Sequence, residues 1–139
     1  MQHRKSRLRL NKKPHHARMI ERNLVTSILL YEAVRTTRKN AKVVQPIVDR
    51  LITVAKKQEP RLAIRAINRF VTDENACRKL LEVFKGRYQS RPSGFTTIKP
   101  AGSRKGDGAE LVDVALIAGA SDVKAKNATK TSAQSSHSS

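Results

Sequence analysis

The sequence predicts an α/β protein of the α+β type, in which about four helices are followed by two strands. Apolar residues recur at helical spacing between about residues 17 and 88, and branched side chains dominate two short segments between residues 95 and 117. A length of 139 residues fits one domain. We therefore expect a basic arm at 1–16, a single globular domain at 17–118 and a disordered tail at 119–139, where Ala, Ser, Thr, Lys and Asn predominate.

The first helix is predicted from about residue 17 to residue 31. Ile20, Leu24, Ile28 and Tyr31 fall at the i, i+4, i+8, i+11 spacing of an amphipathic helix. Residues 33–37 are short and partly β-branched, so that both a strand and an extended link are compatible with them.

A second helix is predicted at about 38–57, but it contains Pro46. Proline removes a backbone hydrogen bond and its ring clashes with the preceding turn. The helix therefore either kinks near residues 42–46, which we favour, or begins regularly near Gln45 with the proline in its first turn.

Two further helices follow. Pro60 suits the first position of a third helix, whose inner face carries Ala63, Ile67 and Phe70. Thr72 is predicted to cap a fourth helix, with acidic residues in the first turn. That helix is expected to bury a stripe of apolar side chains and to end between residues 86 and 89. The stripe comprises Ala76 or Cys77, Leu80, Leu81, Phe84 and Tyr88.

After the fourth helix the sequence pattern changes from that of helices to that of β-strands. Residues 95–99 and 111–117 are strand-like, and the glycine-rich, basic segment between them predicts an antiparallel hairpin. Val112, Val114 and Leu116 would share one face, which helices must cover.

The charge is strongly and unevenly positive. Lys and Arg number 29 against 11 acids, which gives a net charge of +18. Residues 1–20 hold seven cations and no acid, residues 83–106 are also free of acids, and a third basic cluster lies at 35–42. Such a field predicts a nucleic-acid partner first and an anionic membrane second. A basic tail that only keeps the protein soluble, or a transit peptide at 1–20, are the alternatives for the arm.

Other classes of protein and most chemistries are disfavoured. A single cysteine, Cys77, excludes a disulfide framework, and no apolar run approaches the length of a membrane span. Residues 1–20 lack the apolar core of a secretory signal. Cys77 falls on an apolar helix face, as expected of a packed thiol rather than a nucleophile. We expect no enzyme activity, no cofactor, no metal site and no small-molecule substrate.

The aromatic residues indicate the recognition mode. Tyr31, Phe70, Phe84 and Tyr88 are assigned to inner helix faces, which leaves only Phe95 on a strand. Modules that stack bases expose aromatics on a sheet, so we expect phosphate and shape readout by Arg and Lys instead.

Several motifs resemble the bacterial ribosomal protein seventeen family of the large subunit. They are His-Arg-Lys-Ser at 3–6, Arg-Asn-Leu-Val-Thr-Ser at 22–27, Thr-Thr at 36–37, Leu-Ile-Thr-Val-Ala-Lys-Lys at 51–57, Gly-Phe-Thr at 94–96 and Arg-Lys-Gly-Asp-Gly-Ala at 104–109. The resemblance covers about residues 1–117. Gln2 and Arg7 depart from the Arg and Gly usual in the family.

The resemblance implies a small mixed sheet against helices, with 33–37 as a third strand. It also implies a structural, non-catalytic role in the cytoplasmic ribosome, with large-subunit rRNA and neighbouring ribosomal proteins as partners and no membrane. Carried over by motif, the rRNA contacts are His3, Arg4, Lys5, Ser6, Asn11, Arg22, Asn23, Thr36, Thr37 and Lys42. Charge alone adds Arg7, Arg9, Lys12, Lys13, Arg18, Arg35, Arg38, Lys39, Arg91, Arg104 and Lys105.

The sequence disfavours two other functions. A DNA-binding protein would need an exposed recognition helix, which the apolar stripe of the fourth helix disfavours. A nuclease would need clustered acids for Mg²⁺, whereas the acids here are scattered singly.

Overall fold

The computed structural model of the chain describes residues 8–118, so the first seven residues and the tail at 119–139, for which disorder is predicted, lie outside it. Its elements, in chain order, are α1 (Pro14–Tyr31), β1 (Ala33–Thr37), α2 (Arg38–Lys57), α3 (Pro60–Ile67), α4 (Glu74–Lys79), a π-helical segment (Leu80–Phe84), α5 (Lys85–Arg87), β2 (Thr96–Ser103) and β3 (Glu110–Leu116). The α+β class is confirmed.

Helix α1 begins three residues earlier than the apolar pattern predicts, because Pro14 supplies a favourable first position. Its buried stripe centres on Val25, Ile28 and Leu29. Tyr31 lies about 110° from that centre at 100° per residue, and it is 74% exposed. The assignment of Tyr31 to the inner face was therefore wrong. The helix ends at Glu32, which adopts a left-handed conformation with φ 63°.

Helix α2 runs without interruption from Arg38 to Lys57 with Pro46 inside it. The alternative of a helix that begins regularly near Gln45 is therefore wrong. Pro46 and Lys42 are both exposed. The Lys42 carbonyl, which would otherwise accept a hydrogen bond from residue 46, thus lies on the face where water can reach it.

The fourth helical region is α4, which continues through the π-helical segment into α5. Its cap is Asp73 rather than Thr72. One Asp73 carboxylate oxygen accepts hydrogen bonds from the backbone N–H groups of Asn75 at 2.7 Å and Ala76 at 3.3 Å. Thr72 instead donates its backbone N–H to the Thr26 hydroxyl at 3.2 Å, which ties α1 to the link between α3 and α4.

The three strands form one sheet in the order β1-β3-β2. Residues 33–37 are the third strand, not an extended link, and the hairpin of β2 and β3 is antiparallel. Because β1 also pairs antiparallel with β3, the sheet is antiparallel throughout and not mixed. The helices between β1 and β2 allow β1 to lie beside β3 in either direction, so connectivity alone does not decide between a mixed and an antiparallel sheet.

The core lies between one face of the sheet and the helices. Val112 and Val114 of β3 are buried in the same apolar cluster as the buried residues of α2. Next to them the Tyr88 ring lies 5.9 Å from Phe84 and 5.1 Å from Phe95, centroid to centroid. The Tyr88 hydroxyl donates to the Ile117 carbonyl at 2.6 Å. This packing fixes β1 and α2, which carry one of the predicted contact clusters.

Candidate nucleic-acid interface

The segment before α1 presents several of the predicted contact residues to solvent. Leu10 is buried and anchors the segment to the body. Around it lie exposed polar and cationic side chains, none of which has a hydrogen-bond or ionic partner within residues 8–118. They are Arg9, Asn11, Lys12, Lys13 and, on α1, Arg18. His3, Arg4, Lys5, Ser6 and Arg7 lie outside the described residues.

The junction of β1 with α2 gathers six predicted residues: Arg35, Thr36, Thr37, Arg38, Lys39 and Lys42. No loop separates the two elements, because Thr37 keeps an extended conformation and at the same time precedes the first turn of α2. Thr36 and Thr37 are half-buried. Lys39 and Lys42, three residues apart on the helix surface, are exposed and have no ionic partner in the described part of the chain.

Two cations of this junction are already paired with acids of β3. Arg35 donates from Nε and Nη2 to the two carboxylate oxygens of Asp113, at 2.8 and 3.1 Å. This fork raises the pKa of Arg35 and lowers that of Asp113. Arg38 donates to Glu110 at 2.9 Å. Both pairs are solvent-exposed, so a phosphate competing for Arg35 or Arg38 must displace a carboxylate.

The loop between β2 and β3 is pre-organised by Arg104 and Asp107. Arg104 forms a two-pronged ion pair with the Asp107 carboxylate, one bond of which, from Nε, measures 2.9 Å. The hydrogen bond from Arg104 holds the pKa of Asp107 well below its usual range. Gly106 has a φ of 106°, a conformation that favours glycine in the tight turn. Lys105 is exposed in this turn and has no ionic partner among residues 8–118.

The remaining predicted residues lie on other elements. Arg91, after α5, donates to the Gly94 carbonyl at 3.3 Å. Asn23 is exposed on α1. Arg22 is half-buried and lines a groove of about 730 Å³ together with residues of α3 and α4 that include Ile64 and Asn68. Its Nε is buried and has no hydrogen-bond partner in the described region.

The structure also exposes cations that the sequence analysis did not assign. Arg61 and Arg65 lie on α3, and Arg69 lies in the turn after it; none has an ionic partner in the part of the chain that is described. Their spacing of four residues was visible in the sequence. The motifs that carried the resemblance do not include α3, so this signal was missed.

Cys77 is a buried thiol on α4. Burial is the larger cause that raises the pKa of the Cys77 thiol, and the nearby Glu74 carboxylate raises it further. Residues 8–118 contain no group of three side chains placed to ligate a metal, and no helix among them is long and apolar enough to cross a bilayer. The region from Glu74 to Arg87 buries Ala76, Cys77, Leu80 and Phe84, as a core helix does and an exposed recognition helix does not.

Comparison with known proteins identifies the family of the chain. The family model for Ribosomal protein L17 matches residues 20–117. The chain is 42% identical over 109 residues to the large ribosomal subunit protein bL17 of Elusimicrobium minutum, a match that covers 78% of this chain and 92% of the relative. The bL17 protein of Desulforudis audaxviator is 37% identical over 109 residues, with 78% and 96% covered. That of Thermomicrobium roseum is 36% identical over 121 residues, with 85% and 100% covered. The chain therefore belongs to the ribosomal protein L17 family.

Proposed function

We propose that this chain binds large-subunit rRNA through phosphate and shape readout by its Arg, Lys and His side chains. Membership of the family makes it a structural constituent of the large ribosomal subunit and not an enzyme. Its place is then the cytoplasmic ribosome, with rRNA and neighbouring ribosomal proteins as partners.

The observation that carries the proposal is the set of exposed cations without an acidic partner among residues 8–118. Lys12 and Lys13 precede α1, Lys39 and Lys42 lie on the first turns of α2, and Lys105 lies in the turn between β2 and β3. Unpaired cations repel one another in the free protein, and a polyanion relieves that repulsion. Neutralising phosphates also releases the counterions condensed on RNA, which favours binding and makes it salt-dependent.

The placement of the aromatics supports backbone readout over base stacking. Phe84, Tyr88 and Phe95 are buried in the core, and Phe70 is half-buried against it. Only Tyr31, among the aromatics in the described region, is widely exposed, and no second aromatic accompanies it on the surface. Single-strand binders need a series of exposed rings. The chain is therefore suited to folded RNA, whose backbone and shallow groove offer phosphates at fixed positions.

The division into units follows the same reasoning. The basic segment before α1 would contact RNA, the body from Pro14 onward would anchor that segment and present the junction of β1 with α2, and no role is proposed for the tail at 119–139. Within this scheme Arg35, Arg38 and Arg104 contribute less than the unpaired lysines, because Asp113, Glu110 and Asp107 must first release them.

The test is the salt dependence of binding to a transcript of the large-subunit rRNA. The full-length protein should bind with a log K that falls linearly with log salt. Replacing Lys39 and Lys42 with Gln should reduce the slope by about 1.5, which corresponds to roughly two lost phosphate contacts.

The matched control is the double variant Arg35→Gln and Arg38→Gln, which removes the same charge from the same junction. Since both arginines are paired with acids, the control should reduce the slope by less than half as much. A wild-type protein that binds the transcript no better than a duplex DNA of equal length, or a slope unchanged by the lysine substitutions, would contradict the proposal.

A further inference from the structure

We infer that α3 carries a second rRNA-binding surface, formed by Arg61, Arg65 and Arg69, which contacts a different RNA segment from the junction of β1 with α2. The inference rests on the proposed function, since it names a further part of the same partner. None of these arginines belongs to the motifs that carry the resemblance to the family.

Two of the three arginines lie on one side of α3, and the third follows in the turn after it. Arg61 and Arg65 are four residues apart, which brings their side chains close together on the helix surface, about 6 Å apart along the axis, and Arg69 comes four residues later in the turn. All three are exposed. The opposite side of α3 is fixed to the core by Ala63 and Ile67, both fully buried, so the arginine side faces away from the body.

The acids nearest to this surface in the chain do not neutralise it. Glu59, which directly precedes α3, is exposed and forms no ion pair with any of the three arginines. Asp73 is occupied with the cap of α4, and Glu74 forms an ion pair with Arg78 at 3.3 Å. Helix α3 itself contains no acid. Like charges at i and i+4 repel one another and destabilise a helix. A surface that keeps this repulsion in the free protein, with no compensating carboxylate on α3, is complementary to an external polyanion.

The regular spacing of the guanidinium groups suits an RNA backbone. A guanidinium group can donate two parallel hydrogen bonds to one phosphate as it can to one carboxylate, but a run of phosphates offers such partners at regular intervals. Leu62 and Ile64 on the same helix are 54% and 40% exposed, which leaves contact with a neighbouring protein as the competing outcome of the test.

The α3 surface and the junction lie toward opposite ends of α2. Helix α2 has 20 residues and is therefore about 30 Å long. The junction cations lie at its first turns, whereas α3 begins three residues after its last residue. An RNA segment that passes the junction therefore reaches the start of α3 only if it follows α2 for most of its length. The protein would thus hold two rRNA segments together.

The experiment is hydroxyl-radical footprinting of the full-length protein on the large-subunit rRNA, with two variants of equal charge loss. One carries Arg61→Gln, Arg65→Gln and Arg69→Gln, and the other carries Arg38→Gln, Lys39→Gln and Lys42→Gln. All six positions are exposed, and circular dichroism should confirm that both variants keep the wild-type helix content. The α3 variant should lose protection at one rRNA segment while retaining the protections that the junction variant loses. Its salt slope should fall by about 2 to 3.

Three other outcomes would overturn the inference. An α3 variant with all wild-type protections and an unchanged slope would mean that α3 does not bind rRNA, although the proposed function would stand. Unchanged protections together with a lost crosslink to a ribosomal protein in assembled subunits would assign the surface to a protein neighbour. A wild-type protein that protects no rRNA at all would refute the proposed function itself.

Discussion

Glu32 joins three parts of the described fold. It ends α1 in a left-handed conformation, and its carboxylate receives Lys79 at 2.8 Å and Arg87 at 2.7 Å. Its backbone carbonyl accepts the N–H of Leu116 at 2.8 Å. One residue therefore connects α1 with the fourth helical region and with β3. Replacing Glu32 with Gln keeps the size and the backbone bonds of the residue but removes its charge.

The expected cost follows from the exposure of the pairs. The Glu32 side chain is 35% exposed, Lys79 26% and Arg87 15%, so both ion pairs are partly buried. A hydrogen bond to a charged group contributes about 1.5–3 kcal/mol, and solvent screening reduces this at a site about one-third exposed. We therefore expect Glu32→Gln to lower the free energy of unfolding by about 2 kcal/mol. This corresponds to a Tm lower by roughly 8 °C, to be measured by urea and thermal unfolding followed by circular dichroism.

Glu110→Gln is the matched control. Glu110 also accepts a hydrogen bond from an arginine at 2.9 Å, but its side chain is 65% exposed and that of Arg38 56%. Such surface pairs contribute roughly 0–1 kcal/mol, so the control should change stability by less than about 0.5 kcal/mol. If both variants lost the same amount, partial burial would not be what makes the Glu32 pairs strong, and the reasoning would be refuted.

Three further predictions concern pH, capping and stacking. Burial alone would raise the pKa of Glu32, but Arg87 and Lys79 outweigh it and the net shift is downward. The stability advantage of wild type over Glu32→Gln should therefore be complete above about pH 5 and should disappear as the pH falls through the pKa that Glu32 has in the folded protein. A stability advantage that grows on acidification would contradict the lowered pKa of Glu32. Asp73→Ala should cost about 1 kcal/mol in urea unfolding, and more than Thr72→Ala, because Asp73 is the cap; the reverse order would restore Thr72 to that role. Tyr31→Ala should change neither unfolding nor rRNA affinity beyond about 0.5 kcal/mol, whereas a loss of 1–3 kcal/mol in affinity would reveal base stacking.

The helices could be predicted from the sequence because their signals are local. The bounds of α2 match the prediction at both ends, and Pro60 begins α3 as expected. The error in the cap of α4 has a non-local cause. Thr72 and Asp73 are both good capping residues, and which of them caps depends on the hydroxyl of Thr26, which is 46 residues away and engages Thr72.

The candidate site was less accessible to sequence reasoning, because charge pairing is a property of the tertiary structure. Nothing near Arg35 in the chain indicates that it meets Asp113, 78 residues away; the register of β1 on β3 brings them opposite each other. Composition counts every arginine as equally available to phosphate. The structure separates Arg35 and Arg38, which have acidic partners, from Lys39 and Lys42, which have none among residues 8–118.

The carboxylate of Asp49 illustrates a role that the sequence did not suggest. It is half-buried and accepts hydrogen bonds from the Phe95 backbone N–H at 3.2 Å and the Thr96 hydroxyl at 3.1 Å. Burial raises the pKa of Asp49, and the hydrogen bonds from Phe95 and Thr96 only partly oppose this shift. It joins the middle of α2 to the start of β2, and so places the hairpin that carries Arg104 and Lys105.

The most direct test of the account is a high-resolution structure of the intact large subunit that contains this chain. The account predicts rRNA phosphates within hydrogen-bonding distance of Lys12, Lys13, Lys39 and Lys42. A map in which these four side chains point into solvent or against protein, with no nucleotide beside them, would contradict it.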